Sequence, residues 1–300
     1  MLDKGPILVP LDGSELAEGA LAYAVAVAKA LHERIVLVTA WEGTEADLGA
    51  TFPSMAVEIE QKASTYYGEY LEGIRKRVAA AGVLAEPRVV SGDAGQQILA
   101  AAHETGARMI ALSTHGRSGI GRWFYGSVAS RLLRESLVPV LAAGPHALER
   151  AKAGEIAMKH IMVPLDGSEL GEAALPVARS LAMALGARVT LVRAVSWAVQ
   201  SYPYALPDAY IPQVDDELQK GAEIYLRKQE AAMSGLDVDA FVVRGPIASA
   251  LLDVVEKQAV DLIIMTTHAR AGLARAALGS TADRMLQAIA PVLLVRPESA

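Results

Sequence analysis

At 300 residues, 52% of them hydrophobic, the chain is long enough for about two domains, each with a packed core. A formal net charge of −6 excludes a broad footprint on DNA or RNA, though not a local pocket for a small anion. The lack of cysteine excludes disulfides, thiolate metal sites and cysteine nucleophiles.

Lys4 to Pro10 is a short isoleucine- and valine-rich run and predicts a buried strand. Asp12-Gly13 turns the chain, and Ser14 is placed to cap a helix running to about Leu31. Arg34 to Ala40 predicts a second strand and Met55 to Ala81 a long helix. A third strand begins at Arg88 to Val90, a helix follows over Gln96 to Glu104, and Met109 to Ser113 is a fourth strand. After a glycine-rich segment, Ser127 to about Glu135 predicts a helix, and Val138 to Ala142 a fifth strand. Nearly all-apolar strands alternating with helices demand a parallel sheet covered on both faces.

The second half repeats this order from Ile161 to Val295. Ile7 to Leu16 reads ILVPLDGSEL and Ile161 to Leu170 reads IMVPLDGSEL, an offset of 161 − 7 = 154. Ser113 to Ser127 reads STHGRSGIGRWFYGS and Thr266 to Ser280 reads TTHARAGLARAALGS, an offset of 153. A repeat of this length is a whole domain rather than a solenoid unit. The expected domains are residues 1–150 and 151–300, joined within the polar segment Gly144 to Met158. The fold class is α/β: two doubly wound parallel-sheet domains. Between the halves, Ser196 to Asp216 differs most. Its three tyrosines, tryptophan and three prolines argue against regular helix and leave a lid, a domain-contact loop or an oligomer surface, with a loop packed against the other half favoured.

Ligands of doubly wound sheets sit at the carboxyl ends of the strands, where both repeated motifs fall. Asp12 can accept hydrogen bonds from a ribose or an adenine amine, or can serve only as a turn residue beside the Ser14 cap. Gly116, Gly119 and Gly121 let the backbone approach a ligand closely. Gly126-Ser127 then opens a helix whose bare amides form an anion site, with Arg117 and Arg122 as added positive charge. His115 either touches a phosphate or orients its loop. A Walker A loop fails because Arg122 stands where lysine is required and Trp123 where Ser or Thr would hold magnesium. The histidines show no metal-ligand spacing, so a protein metal site is not expected.

These residues resemble the universal stress protein family, whose fold is of the adenine nucleotide alpha hydrolase-like type. The family's ATP motif is Gly, two residues, Gly, nine residues, then Gly-Ser or Gly-Thr. The first half keeps Gly116 and Gly126-Ser127, with Ser113 in place of the leading glycine. The second half has Thr266 and Ala269 before Gly279-Ser280. If the loop needs a positive φ at 269, alanine costs roughly 1 kcal/mol or more there.

The resemblance implies ATP, ADP or AMP as ligand of the first half, with magnesium carried on the phosphates. Pro10, Leu11 and Asp12 would lie near adenine and ribose, and Thr39 or Ala40 would line the base pocket. Ser113, His115, Gly116, Arg117, Gly126, Ser127 and Val128 would surround the phosphates. Asp166, Thr266, Arg270, Gly279 and Ser280 would form a second, degraded or altered site. Single-domain members pair through their last strands. The halves are therefore expected to pair as a pseudo-twofold dimer through Val138 to Ala142 and Ala290 to Val295, with a homodimer as a further assembly. A cytoplasmic protein without signal peptide or membrane span is expected, because the longest apolar run, Ala20 to Ala28, is well short of the roughly 20 residues a span needs.

Three functions compete. The first is a nucleotide-binding regulator of an unidentified protein partner in the stress response. The second is an ATP hydrolase or nucleotidyl transferase, slow because no general base stands beside a water site. The third is a scaffold of the same fold that binds no nucleotide.

Overall fold

The computed structural model describes residues 4–42, 53–114, 125–152, 156–196, 211–266 and 278–297. The chain forms two compact units, divided between Ile156 and Ala157.

The first unit runs β1 (Ile7–Pro10), α1 (Glu15–Leu31), β2 (Ile35–Trp41), α2 (Pro53–Ala80), β3 (Ala85–Ser91), α3 (Ala94–Glu104), β4 (Met109–Ser113), α4 (Ser127–Glu135), β5 (Val140–Ala143) and α5 (Pro145–Lys152). Its strands are parallel in the order β3-β2-β1-β4-β5. The register sets Ile7 beside both Ile35 and Met109, so the chain direction across the sheet reverses at β1 and β4. Right-handed crossovers then put α1 and α2 on one face and α3 and α4 on the other. This switch between β1 and β4 is where the sheet opens a crevice at its carboxyl edge.

The core follows from the pattern of apolar residues. Ile7 to Val9 and Ile35 to Val38 are fully buried. In α1, Ala17, Ala20, Leu21, Ala24, Val27 and Ala28 recur at helical spacing and face the sheet. Ser14 caps that helix through its side chain.

Several local expectations change. β3 starts at Ala85, ahead of Arg88: Glu86 and Pro87 hide its start, and both are tolerated because β3 is an edge strand. The segment read as a linker holds α5. Ala147 and Leu148 are buried there, and the Tyr23 hydroxyl donates to the Ala147 carbonyl at 2.6 Å. In the second unit, Ile211 to Asp216 belongs to a helix. Prolines are tolerated in a first turn, where N–H groups have no helical partner anyway.

The second unit runs β6 (His160–Pro164), α6 (Glu169–Glu172), α7 (Ala174–Leu185), β7 (Arg188–Val195), α8 (Ile211–Ala232), β8 (Val238–Arg244), α9 (Ile247–Lys257), β9 (Leu262–Thr266), α10 (Ser280–Met285) and β10 (Val292–Val295). Its parallel order β8-β7-β6-β9-β10 repeats that of the first. The helix after its first strand is broken at Ala173. Pro176 has no N–H to give the Glu172 carbonyl, so the ladder cannot run through. Each unit is a doubly wound α/β sheet.

Candidate functional site

The end of β1 is fixed by its own turn. Asp12 Oδ1 accepts from the Ser14 amide at 2.9 Å and the Ser14 hydroxyl at 2.6 Å. Ser14 Oγ in turn accepts from the Ala17 amide at 3.2 Å. Gly13 has φ +83°, a left-handed conformation that favours glycine. One oxygen of the Asp12 carboxylate therefore serves the turn and the α1 cap.

The end of β4 leads to the start of α4. Thr114 is buried and its amide donates to the Ala143 carbonyl. The Gly126 amide donates back to the Thr114 carbonyl at 3.1 Å, which brings α4 to the strand edge. Gly126 caps α4 without any side-chain hydrogen bond, and the helix closes its first turn through Ser130 N–H to the Gly126 carbonyl. Among the described residues nothing caps the amides of Ser127, Val128 and Ala129. They carry the positive end of the helix dipole.

Between these edges lies a cavity of about 380 Å³. Pro10, Leu11, Asp12, Ala40, Ser113, Gly126, Ser127 and Val128 line it, so the sheet brings together most of the candidate residues. Thr39 is not among the lining: it is 1% exposed and lies on the opposite face of β2 from Ala40. His115, Gly116 and Arg117, with Gly119, Gly121 and Arg122, fall outside the described residues.

Residues the sequence reading missed complete the walls. Ala94 and Ile98 of α3, Ala129 and Leu132 of α4, and Glu42 beyond β2 all line the cavity. α3 begins two residues before the expected Gln96 because Asp93 caps it, accepting from the Gln96 amide at 2.8 Å. An aspartate just ahead of the helix was the available signal. Arg131 of α4 reaches Asp93 at 2.5 Å and Glu135 at 3.0 Å, clamping the two walls together. Gly95 lies beneath it: a Cβ there would come to 2.6 Å of Arg131 Cδ, so the arginine would have to shift.

The cavity is electrostatically lopsided. Its described side chains include the carboxylates of Asp12 and Glu42 but no lysine or arginine. Among the lining residues, positive potential comes from helix starts, chiefly the uncapped amides of α4, with the start of α3 at Ala94 beside them. Behind the Asp12 turn, Tyr70 donates to Glu18 at 3.0 Å, and Arg77 also pairs with Glu18. Burial, then the Glu18 charge, push the Tyr70 phenol above the usual tyrosine range. That group stays neutral and ties α2 to the first turn of α1.

The second half repeats the turn but not the surroundings. Asp166 Oδ1 accepts from the Ser168 amide at 2.9 Å and its hydroxyl at 2.6 Å. Thr266 is buried at the end of β9, and Gly279 precedes Ser280, the first residue of the six-residue α10. Arg270 falls outside the described residues, as do His268 and Ala269. Ser196 stands where the first half has Glu42 (196 − 42 = 154), and Ile247, 43% exposed, opens the helix that Ala94 opens in the first. Arg193 stands where the first half has Thr39 and stacks 5.0 Å over the Tyr225 ring.

No described helix is long and apolar enough to cross a membrane. The sequence profile of the Universal stress protein family matches residues 5–143 and 158–296. A universal stress protein of Methanocaldococcus jannaschii is 32% identical over 148 residues, 48% of this chain and 85% of the relative. One of Mycobacterium tuberculosis is 30% identical over 139 residues, 46% of this chain and 45% of the relative. The crystal structure of a universal stress protein from Archaeoglobus fulgidus covers 97% of this chain and 98% of its own, with TM-score 0.72 at 20% identity. The chain belongs to the universal stress protein family, with one family domain in each half.

Proposed function

We propose that the first half binds an adenine nucleotide, ATP, ADP or AMP, and that the chain is a cytoplasmic stress-response protein whose nucleotide occupancy governs binding to a protein partner. The observation that carries this reading is the cavity at the switch point, into which an uncapped helix start opens. The volume lies in the range of small-ligand sites. In this reading the nucleoside lies across the ends of β1 and β2, and the phosphates lie on the amides of Ser127 and Val128. His115, Gly116 and Arg117 would complete the phosphate end, and any magnesium would arrive bound to the phosphates.

In the same reading Asp166, Thr266, Arg270, Gly279 and Ser280 do not form an equivalent site. α10 is only six residues long, and Ile247 is bulkier than Ala94 at the equivalent position. We further propose that the halves pair through β5 and β10, each the last strand of its own sheet.

Calorimetric titration with ATP, ADP and AMP, on the wild type and on Gly126→Val, tests the reading. A Cβ at Gly126 meets nothing within 4 Å among the described residues, so the valine leaves their packing intact while crowding the mouth of α4. The expected result is one nucleotide per chain, with affinity at least about tenfold weaker in the variant. Two per chain would contradict the reading of the second half. No binding would favour a scaffold, and steady-state turnover of many per second would favour an enzyme.

A further inference from the structure

The cavity has two chemically opposite ends, and one residue at the far end has no counterpart in the other half. Side chains alternate along β2, so Ala40 and Glu42 project to the same face, and both line the cavity. The α4 amides lie beyond the end of β4, two strands away across β1, which is on the order of 10 Å. An anion is favoured at the α4 end and repelled at the Glu42 end. An ionised carboxylate only accepts hydrogen bonds. A ligand group seated at the β2 end is therefore favoured when it presents donors. Asp12, between the two ends, already gives one oxygen to the Ser14 turn. Glu42 is exposed at the rim, and no hydrogen bond or ion pair engages it among the described residues. In the second half the same repeat position is Ser196, which can donate as well as accept.

We infer that Glu42 is a specificity-determining residue of the first half: its carboxylate selects ligands whose head group carries an amine, and discriminates against those that present a carbonyl there. This rests on the nucleotide reading above. It predicts preference for a 6-amino purine over its 6-oxo counterpart. Water reaches the rim, so the discrimination is that of one solvent-exposed hydrogen bond, about tenfold at most.

The test is calorimetric titration of the full chain with AMP and with IMP, on the wild type, Glu42→Gln and Glu42→Ala. The wild type is expected to bind AMP about tenfold tighter than IMP. Both variants should narrow the ratio to about threefold or less. In Glu42→Gln this should come with tighter IMP binding, because an amide can also donate to the carbonyl. Glu42→Ala separates that gain from simple loss of the carboxylate, and both variants lie at an exposed position that leaves the core untouched. A ratio unchanged by either substitution, or a wild type indifferent to the two nucleotides, overturns the role of Glu42 and leaves nucleotide binding standing. A wild type that binds neither overturns both.

Discussion

Removing the Glu33 carboxylate should destabilise the first half without disturbing its cavity. Glu33 Oε1 accepts from the Gly5 amide at 3.2 Å and pairs with Arg108 Nη1 at 3.1 Å. Gly5 precedes β1, Glu33 precedes β2 and Arg108 precedes β4, so the pair ties the amino ends of the three strands whose carboxyl ends form the cavity. The Arg108 side chain is 6% exposed and that of Glu33 19%. Truncating one member of a buried pair costs about 3–5 kcal/mol, because the other charge stays buried. Glu33 is the wetter partner and Arg108 keeps other interactions, which puts Glu33→Ala at the low end, about 3 kcal/mol at most. In the double variant Glu33→Ala/Arg108→Met no charge is left behind, and the cost should fall to about 1 kcal/mol. Hydrogen exchange along β1, β2 and β4 under increasing urea reads the first half separately from the second. Nucleotide affinity should stay within about threefold of wild type, since the pair lies at the opposite ends of the strands. A single variant within about 0.5 kcal/mol of wild type, or a double variant less stable than the single, would refute charge burial as the source of the effect.

Two further outcomes follow from the same reasoning. The Tyr23 hydroxyl is the described link from α1 to the Ala147 carbonyl, so Tyr23→Phe should cost about 1 kcal/mol. Amide exchange over Pro145 to Lys152 should accelerate, and unchanged exchange there would show that α5 is held by other contacts. In the second half, burial holds the His160 imidazole below its ordinary value of 6.5, with Arg188 adding to the shift and the Gln258 carbonyl, Asp261 and Asp239 opposing it. The unfolded chain therefore takes up this proton first, and stability present above pH 6.5 is lost as the pH falls through the folded value. The urea midpoint of the second half should drop below pH 6.5, and the slope should shrink in His160→Asn. A midpoint that rises on acidification would contradict the assignment.

The repeated segments made the fold legible. β4 and the start of α4 fall where the sequence puts them, because an unbroken apolar run and a Gly-Ser start leave few alternatives. β3 was cut short because an edge strand has only one partner and tolerates Glu86 and Pro87. α5 was missed because eight residues with two buried side chains look polar in sequence, and only packing on α1 reveals its apolar face. The floor of the cavity was readable from the two motifs. Its far wall was not, since Ala94, Ile98 and Glu42 carry no motif and reach the cavity only through strand order. Thr39 and Ala40 could not be separated before the pleat of β2 was known.

The two halves close the amino edge of their sheets with incompatible parts. In the second, Asp261 Oδ2 accepts directly from the Lys159 amide at 2.8 Å and the His160 amide at 3.0 Å. Asp261 occupies the repeat position of Arg108 (261 − 108 = 153), and Ala187 that of Glu33 (187 − 33 = 154). A hybrid domain joining Glu33 to Asp261 would set two acids against each other, so the carboxyl portions of the two copies are not interchangeable.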